Sequence, residues 1–111
     1  MGEPSHFELG VPDGTKARAF FQKLLGWEFE TTSGENAWIN TPGVRGGLHS
    51  EDPESSITLY FSVPDIEVAV QLVRDLGGKA DDPGPPGNSG RYASCHDNQG
   101  VRFGLHQPPK P

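Results

Sequence analysis

The chain has 111 residues, 32% of them hydrophobic, with 15 Gly and 11 Pro and a formal net charge of −6. That length suits one compact domain with a modest core. The acidic balance argues against nucleic acid as a partner, because phosphate backbones need clustered Lys and Arg.

His6-Phe7-Glu8-Leu9-Gly10-Val11 alternates and predicts a strand with Phe7, Leu9 and Val11 on the core face. Pro12-Asp13-Gly14-Thr15 is a turn into a helix over 16–25, with Asp13 or Thr15 as its N-cap. Ala17, Phe20, Phe21, Leu24 and Leu25 recur at three and four residues and form one apolar stripe. Gly26 ends the helix as a C-cap. Strands follow at 27–30, 37–41 and 46–49. After the polar segment 50–56, Ile57 to Val63 is a strand with Ile57, Leu59, Phe61 and Val63 toward a helix and Thr58, Tyr60 and Ser62 on the opposite face. Asp65 caps that helix, whose stripe is Ile66, Val70, Val73 and Leu76 with Ala69 beside it, and Gly77-Gly78 stops it. Lys79-Ala80 opens a short strand. Residues 82–90 are rich in Pro and Gly and read as a loop, of which 84–90 is expected to be a mobile flap beside a cleft. The last strands are 91–96 and 102–107, and the tail 108–111 is expected to be disordered.

The chain repeats itself. Val11-Pro12-Asp13 recurs as Val63-Pro64-Asp65, 52 residues on, and Leu25-Gly26 as Leu76-Gly77, 51 residues on. Val44-Arg45-Gly46-Gly47-Leu48-His49 recurs 57 residues on as Val101-Arg102-Phe103-Gly104-Leu105-His106. Three matches in one order at nearly one spacing predict two copies of a strand–helix–strand–strand–strand unit. The expected class is α+β. Residues 1–111 form a single domain in this reading: module one at 5–49, a linker at 50–56, module two at 57–107 and the tail. The short linker permits the modules to pair within one chain or to swap between two.

These residues resemble the vicinal oxygen chelate superfamily, which contains glyoxalase I, extradiol dioxygenases and bleomycin resistance proteins. The resemblance is carried by His6-Phe7-Glu8-Leu9, by the 17–27 segment ending Leu25-Gly26-Trp27, by Val63-Pro64-Asp65, by Leu76-Gly77-Gly78-Lys79 and by Asn98-Gln99-Gly100-Val101-Arg102-Phe103. It implies two tandem βαβββ modules that form a curved, partly closed eight-stranded sheet with helices outside and a concave ligand cleft. Metal-dependent members place ligands at four positions on the concave face. Carried over singly, the first-strand position falls on His6 and its counterpart on Thr58, while the two last-strand positions fall on Gly47 and Gly104. One competent ligand in four cannot hold a divalent cation against water and buffer. Strand alternation puts His49 on the face of Gly47 and His106 on the face of Gly104. The set His6, His49 and His106 is therefore the candidate metal site, set against a reading of both strand-end histidines as half-solvated.

Other chemistry has few carriers. Cys95 and His96 are adjacent, so on a strand they point to opposite faces and form no nucleophile–base pair; Cys95 reads as a small core residue. No Ser-His-Asp constellation is visible as a motif. Glu8 and His6 are the candidates for general acid–base work. Trp38 and Tyr60 offer aromatic walls for a flat organic ligand, with Trp38 equally assignable to core or dimer interface.

The leading expectation is a metal-independent protein that binds a small organic molecule through His6, Glu8, Trp38, His49, Thr58, Tyr60 and His106, with no cofactor. Sequestration of a toxic metabolite or antibiotic, of the bleomycin resistance type, is its most concrete form. The resemblance implies a homodimer. The alternative is a divalent-metal-dependent lyase, isomerase or dioxygenase on the three histidines; a third reading is a module that binds a protein partner. Whether the chain is an enzyme stays open. No apolar run reaches the roughly 20 residues of a membrane span, the first residues lack a secretory leader's pattern and His6 breaks the myristoylation pattern. The lone Cys95 excludes an internal disulfide and fits the cytoplasm.

Overall fold

The computed structural model of the chain describes residues 1–109. It divides into two compact units, His6–Thr58 and a second made of Met1–Ser5 with the chain from Leu59 onward. The first contains α1 (Gly14–Leu25), β2 (Glu28–Ser33), β3 (Asn36–Asn40), β4 (Gly46–His49) and all but the first two residues of β1 (Pro4–Gly10). Its strands run in the order β2-β3-β4-β1, antiparallel except for the parallel pair β4–β1. The second contains most of β5 (Ser56–Ser62), then α2 (Ile66–Asp75), β6 (Lys79–Ala80), β7 (Arg91–His96) and β8 (Arg102–Gln107). Its order is β5-β8-β7-β6, with β5–β8 parallel and the rest antiparallel. Each unit is thus one βαβββ module, and the duplicated α+β pattern expected from the repeat is present; the mix of parallel and antiparallel strands was not anticipated.

Local chemistry explains the helices. Asp13 has extended backbone and its carboxylate accepts from the Lys16 amide, which satisfies one of the orphan donors of the first turn. Gly26 closes α1 in the left-handed region at φ 73°, its amide donating to the Gln22 carbonyl. Asp65 caps α2 through the amides of Glu67 and Val68. No helix among the described residues is long and apolar enough to cross a membrane.

Each module buries its own core. Phe7, Leu9, Ala17, Ala37, Ile39 and Leu48 form the first, with Phe21, Trp27 and Phe29 packed against it. Ile66, Val70, Ala93, Cys95 and Leu105 form the second. Cys95 is buried, and burial pushes its thiol up to about 11, so it sits in the core as an inert small residue.

Several expectations about burial and boundaries are corrected. On α1 only Ala17 and Phe21 meet the core; Phe20, Leu24 and Leu25 are exposed. On α2 Leu76 is exposed, as are Val68 and Leu72. Three- and four-residue spacing defines a side of a helix, but not how much of that side its sheet covers. On β5, Ile57 and Leu59 are 61% and 46% exposed, whereas Thr58, Tyr60 and Ser62 are buried. The alternation is as expected and the burial is reversed at these positions. Trp27 also lies before β2 rather than in it, stacked on Phe21 with ring centroids 4.9 Å apart and tilted against Phe7 at 5.3 Å. The Pro- and Gly-rich segment expected as a flap is folded back by hydrogen bonds: Gly84 donates to the Tyr92 carbonyl, Gly87 and Gly90 exchange two bonds, and Arg91 donates to the Gly84 carbonyl. Of the expected disordered tail, Pro108 and Pro109 have no regular structure and the remainder lies outside the described residues.

Candidate functional site

In the first module, β1 places His6 and Glu8 two residues apart, hence on one face. Glu8 pairs in register with Gly47 of β4, and Gly47 in turn with Trp38 of β3. Glu8 therefore lies over a residue with no side chain. A Cβ at Gly47 would stand 2.7 Å from both carboxylate oxygens. The open space lets Glu8 reach both histidines: His6 Nε2 is 2.6 Å from Oε1 and His49 Nε2 is 2.6 Å from Oε2. His6 is buried, Glu8 mostly so, and His49 is largely exposed. The second contact is close but not aligned as a hydrogen bond, since Oε2 makes none among the described residues.

Burial alone would raise the Glu8 carboxyl. The contacts and charges of His49 and then His6 outweigh it and hold the group down at about 2, so Glu8 is an anion at neutral pH. Glu8 in turn raises His49, against the opposing effect of burial. Beside this trio, Trp38 meets His6 edge-on at 6.2 Å, and the Arg45 guanidinium lies over the indole at 4.0 Å from its centroid. Glu8, Asn36, Trp38, Gly47 and His49 line a pocket of about 140 Å³. That is smaller than the roughly 300–1,000 Å³ of a typical small-molecule site and holds a ring or a short chain.

The second module has the same geometry with different chemistry. Tyr60 pairs with Gly104 as Glu8 does with Gly47, and its ring covers the glycine. Tyr92 stands edge-on to Tyr60 at 5.7 Å and stacks flat on His106 at 4.6 Å, the planes 6° apart. His106 is buried, with Ser5 Oγ 2.8 Å from Nδ1 and the Ser89 carbonyl 2.8 Å from Nε2. Thr58 is buried. The expected site residues thus fall into groups within the modules: Glu8, Trp38 and His49 line one pocket with His6 bonded to Glu8, and Tyr60 and His106 are joined through Tyr92.

Sequence reasoning missed Arg45, Ser5, Ser89 and Tyr92. Tyr92 was reachable, since its strand was expected and it pairs with His106 in register. Arg45, Ser5 and Ser89 lie in loops or at a strand's end and carry no local signal.

A divalent metal fits poorly. Among the described residues no three His, Cys, Asp or Glu side chains are arranged to hold one. His6 and His49 each commit a ring nitrogen to Glu8, His106 is bonded through both of its own, and Gly47 and Gly104 contribute no donor.

Comparison with known proteins agrees with this architecture. Residues 5–42, which contain His6, Glu8 and Trp38, match the family model described as bleomycin resistance protein-like N-terminal. A hypothetical protein from Bacillus halodurans C-125 superposes with a TM-score of 0.76 over 99% of this chain and 96% of its own, at 15% identity. Methylmalonyl-CoA epimerase from Mycobacterium tuberculosis superposes with a TM-score of 0.72 over 98% of this chain and 89% of its own, at 19% identity. The chain has the vicinal oxygen chelate fold. A homoprotocatechuate 2,3-dioxygenase variant from B. fuscum shares that fold with a TM-score of 0.79 at 17% identity; 99% of this chain covers 33% of the dioxygenase. No curated protein matches by sequence. This fold carries many chemistries, so the site and not the scaffold must argue the function.

Proposed function

We propose that this vicinal oxygen chelate protein binds a small planar organic cation against Trp38 and Glu8, without metal and without turnover. The observation that carries this is Arg45. Its guanidinium lies over the indole at 4.0 Å, in a cation–π contact, and marks where a ligand cation would rest. Arg45 is half exposed and its ion pair with Glu30 is long, at 3.9 Å, so a ligand displaces it at little cost. Glu8, held ionised, supplies the opposing charge at the pocket wall. The match of residues 5–42 to a bleomycin resistance-like model supports sequestration of a toxic metabolite or antibiotic as the biological form. The metal-dependent lyase, isomerase or dioxygenase alternative has fold-level support in the epimerase and dioxygenase neighbours, but the donor set described above does not support it. A cytoplasmic homodimer belongs to the same proposal, supported by exposed Ile57, Leu59 and Leu72 and by the single reduced cysteine.

Calorimetric titration with bleomycin and a panel of planar aromatic cations tests it. The expected result is binding of one equivalent per chain, weakened by about tenfold or more, roughly 1.4 kcal/mol, in both Trp38→Ala and Glu8→Gln, with the compound recovered unaltered. Binding indifferent to both substitutions, or conversion of the compound, overturns it.

A further inference from the structure

We propose that Ser5 and His106 form a nucleophile–base pair able to cleave small activated esters, a second site independent of the Trp38 pocket. The two residues are 101 positions apart, yet Ser5 Oγ lies 2.8 Å from His106 Nδ1. The other ring nitrogen settles the tautomer. Nε2 is 2.8 Å from the Ser89 carbonyl, which only accepts, so Nε2 carries the hydrogen and Nδ1 of the neutral ring presents its lone pair to the serine hydroxyl. A nucleophile within hydrogen-bond reach of a base, with the base oriented by a third group, is the general arrangement of activated-serine catalysis. Here a backbone carbonyl is the third group.

The surroundings suit the role. His106 is 8% exposed, with Tyr92 stacked on its face and the 87–90 turn setting Ser89 against its edge. A Cβ at Gly90 would come 3.2 Å from His106 Nε2 and run into the Gln107 backbone, so glycine there lets the turn close over the imidazole. Tyr92 also donates from its hydroxyl to the same Ser89 carbonyl, at 3.3 Å. Ser5 itself is only half-buried and therefore reachable from solvent.

The step balances with ester and water alone. Ser5 Oγ bonds to the ester carbonyl carbon while its proton passes to His106 Nδ1. The bond from that carbon to the leaving oxygen breaks, and the leaving alkoxide takes the proton from Nδ1. Water then attacks the acyl carbon, releases the acid and restores the Ser5 hydroxyl.

The test uses the full chain and 4-nitrophenyl acetate, with release of 4-nitrophenolate followed in time and the acetyl group located by peptide mass mapping. A burst of close to one equivalent, with the acetyl group on Ser5, is expected. Ser5→Ala removes the burst and the adduct while keeping the wild-type circular dichroism. His106→Gln slows acetylation of Ser5 by about 100-fold, at the lower end of what general base catalysis contributes. Acetyl groups confined to lysines or the terminal amine, or a burst that persists in Ser5→Ala, overturn the proposal. Ser5→Ala is decisive without the second variant, so a folding defect in His106→Gln does not rescue or defeat the pair. The readout is an adduct position, and it holds whether or not the Trp38 pocket binds a cation.

Discussion

The two modules share a backbone plan and differ in what they set over one glycine. In the first, Glu8 covers Gly47 and gathers two histidines; in the second, Tyr60 covers Gly104 and gathers Tyr92 and His106. One charged side chain changes an aromatic stack into an ionised pocket. The outer faces differ as well. Trp27 covers Phe7 in the first module, but the repeat puts Gly78 at the matching position of the second, and Leu59, the counterpart of Phe7, is left exposed. A duplicated scaffold thus keeps its hydrogen-bonded strands while the side chains of each copy set separate chemistries. Backbone pairing tolerates side-chain change on either face, provided the volume over the glycine is filled.

The largest expected contrast is on the outer face. Phe7→Ala should cost about 3–5 kcal/mol, whereas Leu59→Ala, already half in water, should stay within about 0.5 kcal/mol; urea unfolding of both variants decides it. Equal costs would mean that the modules do not differ there. Next come the glycines. Gly104→Ala drives a Cβ into the rigid Tyr60 ring and should cost about 3 kcal/mol, the upper end of ordinary overpacking. At Gly47 the obstacle is a carboxylate on a flexible stem, so Gly47→Ala should cost about 1 kcal/mol while weakening ligand binding more than folding.

A smaller effect is pH-dependent and belongs to the first module alone. The folded Glu8 carboxyl lies at about 2 against an ordinary 4.5, so its stabilisation is complete above pH 4.5 and is lost as pH falls toward 2. His49 is raised above 6.5, so its share is complete below pH 6.5 and is lost as pH rises through its folded value. The destabilisation by Glu8→Gln, about 1–2 kcal/mol for a disturbed buried partner of His6, should therefore peak between pH 4.5 and 6.5. A flat difference across unfolding curves taken below, within and above that window would sink the ionic account of the trio. The smallest change is His49→Ala, under about 1 kcal/mol at neutral pH because the imidazole is mostly solvated.

Much of this architecture was legible in the sequence because it rests on local chemistry. Asp13 and Asp65 mark their helices through one carboxylate each, Gly26 marks the end of a helix through a backbone angle, and period-2 alternation marks the strands. The repeated Val-Pro-Asp and Leu-Gly pairs made the duplication readable, but the pairing of Glu8 with Gly47 and of Tyr60 with Gly104 came only with the strand registers. His6, Glu8, Trp38 and His49 were each placed on the correct strand, and two-residue spacing already put His6 and Glu8 on one face.

What the sequence alone determined, then, is the order of elements, the duplication and the α+β class, all set by short-range spacing and caps, with the fold itself implied by resemblance. Tertiary structure decided the rest. Arg45 reaches Trp38 from outside the strands, and Ser5 meets His106 across 101 residues. Which apolar residues of α1, α2 and β5 are covered depends on what another element sets against them, as Trp27 does for Phe7 and Gly78 does not for Leu59. Coverage and side-chain meeting are properties of pairs distant in the chain, and no local spacing encodes them.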